Sequence, residues 1–170
     1  MTDASNGDVA AGLMGAADAE LDMPSGLTFP GIFGVIANRY MHEYGLTRDE
    51  LNYVSAHHHA QAEANPYAQF RKAIAPESVS KSSLIADPLC MLDCSPISDG
   101  AAACILSTKH KSTMKVAASQ LATDTLSVTD RPTITSFSAS KVASQNAYKE
   151  AGVTTNDITH LEVTDCFSIT

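Results

Sequence analysis

Ile32, Ile36, Tyr40 and Tyr44 recur at four-residue spacing, and Phe33 and Val35 widen the stripe. That period belongs to one face of a helix and predicts a helix over 31–44, closed by Gly45. Gly31 and Gly34 lower its intrinsic propensity, so tertiary packing must hold it. A second helix is predicted over 47–63, because Thr47 and Glu50 stand at the spacing of a capping box. Asn65-Pro66 breaks that pattern, and Ala75-Pro76-Glu77-Ser78 has the form of another short helical start. The pattern then turns extended over Ala101–Ser107 and Met114–Leu121. Ser138 is placed to cap a helix over 139–151 that Gly152 stops, and Ile158–Val163 reads as a strand feeding Thr164-Asp165-Cys166-Phe167.

Between the helical and extended parts lies D-P-L-C-M-L-D-C-S-P-I-S-D-G-A-A-A, Asp87 to Ala103. Two turn-forming clusters, Ser95-Pro96 and Ser98-Asp99-Gly100, sit directly before the apolar run Ala101–Leu106. Gly100 is expected to supply a positive φ, and the small alanines let backbones and ligands approach closely. A buried strand entered from such a loop presents backbone groups and a hydroxyl to a substrate.

Composition narrows the classes. A chain of 170 residues is long enough for one domain with a real core, burying roughly 70% of the surface it exposes when unfolded. No apolar run approaches the ~20 residues of a membrane helix. Met1–Asp22 contains Asp3, Asp8, Asp18 and Glu20 and no basic residue, which argues against a presequence. Residues 1–12 are small, polar and acidic and are expected to be flexible. A net charge of −8 is the wrong sign for a phosphate-backbone binder, so nucleic acid is excluded as a partner.

Two clusters invite a metal reading and do not sustain it. Cys90 and Cys94 form C-x3-C, but Cys104 and Cys166 stand alone, so no second half of a zinc site follows. A reduced intracellular protein with small buried thiols fits better. His57-His58-His59 lies within the second predicted helix, where successive side chains point roughly 100° apart and cannot converge on one ion. The run is expected to be an exposed histidine patch, gaining positive charge near pH 6.

The loop carrying Ser95 and Asp99-Gly100-Ala101-Ala102-Ala103 resembles that of the thiolase superfamily, specifically its sterol carrier protein-type members. Gly26-Leu27-Thr28-Phe29-Pro30 followed by Arg39-Tyr40-Met41-His42-Glu43-Tyr44-Gly45 resembles the family's loop-domain helix. Asn65-Pro66-Tyr67-Ala68-Gln69-Phe70-Arg71 resembles the segment after it, and the likeness runs from about Leu13 to the last residue. It implies an α/β chain with a partial thiolase fold: loop-domain helices plus parts of the layered α/β/α halves. Helical loop-domain residues would fill 13–86, and 87–170 would join the end of the N-terminal half to the start of the C-terminal half.

The resemblance implies acyl-CoA or CoA as the small-molecule partner, bound as substrate with no resident cofactor and no metal. Ser95 and Pro96 would lie along the pantetheine arm. Because CoA is anionic and the chain acidic, local basic groups must assist, and Arg71, Lys72 and Lys81 are the candidates. Thr164-Asp165-Cys166-Phe167 stands where these members carry His-Asp-Cys-Phe, whose first residue helps bind the thioester oxygen. Thr164 replaces that histidine; a hydroxyl donates one hydrogen bond and carries no positive charge. Losing one oxyanion donor costs on the order of 10²–10³ in turnover. Asp165 and Cys166 match the pattern, whereas Phe167 is expected to end a buried strand.

The family's chemistry needs an acyl-accepting cysteine upstream of the loop region, and a Gly-His-Pro histidine and a second cysteine downstream. No Gly-His-Pro or Cys-x-Gly occurs in this chain, so it resembles the middle of a thiolase. Three functions follow as expectations: a segment of an acyl-CoA acyltransferase, inactive as this chain alone; a non-catalytic thiolase-like acyl-CoA or lipid-binding protein; or an interaction module. Family context suggests a homo-oligomer, in peroxisome or mitochondrion. With sheet partners absent, unpaired edges and uncovered apolar surface are expected.

Overall fold

A computed structural model describes residues 6–170, which divide into two compact units. One comprises the chain up to Ser98 together with Leu126–Thr135 and Thr164–Thr170; the other comprises Asp99–Thr125 and Ser136–Val163.

The first unit is built from helices and one small hairpin. Helix α1 runs Asn6–Met14, α2 Phe29–Tyr44, α3 Arg48–Ala62 and α4 Pro76–Ser80. Strands β1, Leu84–Ala86, and β2, Leu89–Cys90, pair antiparallel, and a 3₁₀ turn, Met91–Asp93, follows. Each end of α2 and α3 has a local cause. The Thr28 side chain accepts from the Gly31 N–H at the start of α2, and Gly45 takes φ 72° past its end. Thr47 and Glu50 form the full capping box of α3. Within the stretch expected to be flexible, Asn6–Met14 is helix α1, and residues 1–5 lie outside the described residues.

The core of this unit gathers Ala37 of α2, Leu51 of α3, Leu89 of β2 and Phe167 near the last residues. Phe29, Phe33 and Phe167 form an aromatic triad with ring centroids 4.5–5.6 Å apart. Such tilted and edge-on ring contacts add about 0.5–1.5 kcal/mol per pair to the area they bury. The buried residues of α2 are Gly34, Ile36 and Ala37; of the expected stripe Ile36 is buried and Phe33 packs on the core, whereas Val35 and Tyr44 are exposed. Small residues set this face because β1 approaches closely. A Cβ on Gly34 would stand 3.0 Å from the Asp87 carbonyl oxygen and 3.1 Å from that of Ala86. Asn38, one turn on, donates to the same Asp87 oxygen at 2.7 Å.

A second junction ties Leu126–Thr135 to the first unit's early turns. The Asp22 carboxylate accepts from the buried Ser127 hydroxyl at 2.9 Å, and Ser127 also shares a hydrogen bond with Thr129. Both Asp22 and Ser127 are buried, so each satisfies a polar group that would otherwise be costly.

The second unit contains helix α5, Ser138–Ala151, and a 3₁₀ turn, Thr155–Asp157. Gly152, at φ 68°, ends α5 as expected, but Ser138 is already helical and no side chain caps its start. None of its residues is buried. The expected strands 101–107, 114–121 and 158–163 are not strands; these runs are exposed and carry no regular structure. The physical reason is pairing: a strand exists through a neighbour that takes up its N–H and C=O groups, and among the described residues none does. Gly100, in the same region, is not among the glycines at positive φ, which are Gly26, Gly45 and Gly152.

Candidate functional site

The two motifs singled out in the sequence meet in the first unit. The Ser95 N–H donates to the Cys166 carbonyl at 2.9 Å, and Cys94 and Phe167 form an antiparallel bridge. The Ser168 N–H donates in turn to the Asp93 carbonyl at 3.0 Å. Segment 93–95 and segment 166–168 are therefore a short two-stranded junction. Phe167 anchors it in the aromatic triad, as the end of a buried element should.

Asp93 is the organising residue of this junction. Its carboxylate is buried and accepts from four donors: Arg48 Nη2 at 2.7 Å, Ser55 Oγ at 3.0 Å, the Cys90 N–H at 2.8 Å and Ser168 Oγ at 2.7 Å. A buried carboxylate is tolerated when a cation and hydrogen bonds compensate its lost hydration, and all are present here. Arg48 is held by Asn52 Oδ1 and also reaches the Pro88 carbonyl at 2.9 Å. Donors from α3, β2 and the chain's last three positions thus converge on one carboxylate.

Around this junction the predicted site residues take different places. Ser95 and Pro96 lie on the exposed loop just beyond it, and Thr164 is exposed. Asp165 and Cys166 are half-buried, and Asp165 Oδ2 lies 2.7 Å from His58 Nδ1 on α3. Arg71 and Lys72 are exposed on the segment after α3, and Lys81 is exposed at the end of α4; none forms an ion pair among the described residues. The histidine run is largely exposed, as expected. His57 stacks on Tyr53 and His59 on Phe70, while His58 reaches the second motif.

The thiols are free, and no group of residues suited to a metal ion occurs among the described residues. Cys90 is buried and Cys94 half-buried, but Cys104 is exposed, contrary to a uniformly buried set. Burial, with the neighbouring Asp93 and Cys90, pushes the Cys94 thiol up to about 11. It is protonated at neutral pH and is not an activated nucleophile.

Sequence reasoning missed Asp93, Arg48 and Ser168 as organisers. Only Arg48 and Asn52 carried a local signal, their i, i+4 spacing on a helix. The side-chain partners of Asp93 lie 38, 45 and 75 residues away in the chain, a distance no local pattern records.

Residues 20–110 match the family model for the thiolase N-terminal domain, and residues 121–170 match that for the thiolase C-terminal domain-like region. A solved Ltp2-ChsH2(DUF35) aldolase chain superposes with a TM-score of 0.67 over 99% of this chain and 45% of that one, at 23% identity, a likeness of fold. The architecture is that of a partial α/β thiolase fold. The chain belongs to the thiolase family. An acetyl-CoA acetyltransferase of Methanothermobacter thermautotrophicus is 45% identical over 91% of this chain and 42% of its own length. Sterol carrier protein 2 of Bos taurus is 33% identical over 82% of this chain and 28% of its own length. The chain therefore spans less than half the length of these relatives.

Proposed function

We propose that this chain is the acyl-CoA-recognising segment of a thiolase-type acyltransferase, acting in 3-oxoacyl-CoA thiolysis or acyl-CoA condensation, and that alone it binds CoA thioesters without turning them over. The observation that carries the reading is the Ser95–Cys166 junction. It brings the small-residue loop and the Thr164–Phe167 motif together from positions 71 apart in the chain (166 − 95). CoA serves as substrate, with no resident cofactor. Ser95, Pro96 and Thr164 are exposed beside the junction, and Arg71 and Lys72 supply unpaired positive charge for an anionic ligand.

Absence of turnover has a chemical basis in the residues present. The Cys94 thiol, pushed up to about 11, is a poor acyl acceptor, and no Gly-His-Pro or Cys-x-Gly is present. Thr164 also favours a second reading, a non-catalytic thiolase-like protein that retains acyl-CoA or lipid binding. Titration calorimetry with CoA and acetyl-CoA, beside an acetoacetyl-CoA thiolysis assay, tests both readings. Binding without thiolysis is expected, weakened by Ser95→Asp. No heat of binding with either ligand overturns the acyl-CoA reading, and thiolysis above background overturns the inactive one.

A further inference from the structure

We infer that His58 and Asp165 form a proton-dependent latch that holds the Thr164–Phe167 segment against helix α3. The latch stands on geometry alone and does not depend on whether the chain binds CoA.

His58 lies one turn after Val54 on α3, next in helical spacing to Ser55, which already contacts Asp93. This face of α3 points toward the junction. His58 Nδ1 approaches Asp165 Oδ2 to 2.7 Å, a charge-assisted length, and both side chains are about two-fifths exposed, at 43% and 41%. Segment 164–168 is consequently held at two places. Ser168 and the bridge to Cys94 fasten its far end to the hydrogen-bond network of Asp93. Asp165 fastens its near end, beside Thr164, to a residue type that changes charge between about pH 5 and 8. A neutral imidazole keeps the Nδ1–H hydrogen bond in the right tautomer, so protonation adds charge rather than creating the contact.

The surroundings leave this pairing to the two residues themselves. On its own helix, His58 has His57 with a ring centroid 6.3 Å away, and His59 beyond. Helix α4, which packs on α3, carries Glu77, and Lys81 follows it; neither pairs with His58 among the described residues. The 3₁₀ turn contributes Asp93, already committed to Arg48, Ser55, the Cys90 N–H and Ser168. From the other segment comes Asp165 alone. A charged imidazole is drawn to the Asp165 carboxylate by Coulomb attraction as well as by the hydrogen bond, so the latch holds more tightly with His58 charged than with it neutral. Exposed pairs are weak, and the effect on local opening is about two- to fivefold.

Amide hydrogen exchange by NMR on the full chain tests this, read at the Ser95 and Ser168 N–H groups, which report closure of the junction. Rates are corrected for intrinsic exchange and compared at pH 5.5 and 8. Protection is expected to be about two- to fivefold higher at pH 5.5, and this ratio is expected to vanish in His58→Gln, which retains a donor without the charge. Asp165→Asn should abolish it too, while His57→Gln should leave it intact. Because these side chains are partly exposed and the replacements are close in size, the variants are expected to keep the fold, and the remaining α2 and α3 amides serve as the check. A ratio that persists in His58→Gln, or that His57→Gln removes, overturns the latch, as does equal wild-type protection at the two pH values.

Discussion

The carboxylate of Asp93 accepts a 2.7 Å hydrogen bond from the hydroxyl of Ser168, 75 residues further along the chain. Through this contact the last residues of the chain are fastened to the turn that precedes the Ser95 loop. Replacing Asp93 with Ala removes the partner of Arg48 and of three further donors at once. Breaking a buried pair costs about 3–5 kcal/mol, and the low end applies because the Arg48 side chain is 24% exposed. The midpoint of urea unfolding is expected to fall accordingly, and Ser168→Ala should lower it by much less.

Gly34 is the point where α2 and the chain beyond β1 come nearest. A Cβ there would meet backbone oxygens at 3.0 and 3.1 Å, atoms that cannot rotate away. Gly34→Ala is therefore expected to destabilise by about 1–3 kcal/mol despite its better helix propensity. Gly31→Ala is the comparison, since its nearest neighbours are the side chains of Thr28 and Leu27. Urea unfolding of the two variants should separate them, with Gly34→Ala clearly the less stable.

The start of α3 carries a pH dependence of known sign. The Thr47 N–H, and then its hydroxyl, hold the Glu50 carboxyl below its ordinary value of 4.5. A carboxyl lowered by folding stabilises above its unfolded value, and the gain is lost as pH falls through the folded one. Acid titration followed by NMR should thus show the α3 amides near Thr47 losing protection only below about pH 4.5, a step that Glu50→Gln removes. Thr47→Ala is expected to cost about 1 kcal/mol at neutral pH, measured by urea unfolding.

Thiol reactivity should follow exposure and proton affinity together. At pH 8 a thiol pushed up to about 11 holds roughly one part in a thousand as thiolate. Cys104, exposed, is expected to be alkylated by iodoacetamide well before Cys94 or the buried Cys90, with mass spectrometry reading the order of modification. Early modification of Cys94 would contradict the shielding described for it.

The second unit exposes much of its apolar surface. Ile105 is 94% and Leu121 87% exposed, in runs that pair with no strand among the described residues. Such runs are prone to self-association. The isolated chain is expected to bind an apolar dye and to associate with rising concentration in sedimentation. A sharp, cooperative thermal transition of a monomer would contradict this.

Much of this protein is written locally. The capping box at Thr47, the stop at Gly45 and the end of α5 at Gly152 each depend on residues within one helical turn, and each was readable. The resemblance to thiolases was readable for a similar reason, since the Ser95 loop and Thr164–Phe167 are contiguous motifs. Other features required the folded chain. The face of α2 turned toward Gly34 and Ala37 because a neighbouring backbone needed room, which periodicity alone does not register. The runs 101–107, 114–121 and 158–163 have strand-like sequences, but a strand is made by its partner. His58 looked like part of an exposed patch until folding set Asp165 beside it, and Asp93 gathered donors from positions up to 75 residues away. Short-range hydrogen bonds and backbone preferences are properties of neighbouring residues, so the sequence by itself determined helices α2, α3 and α5, the stops at Gly45 and Gly152 and the motifs. Which face is buried, which carboxylate is shared and which motifs meet depend on chain segments brought together from afar, and only the tertiary structure decided them.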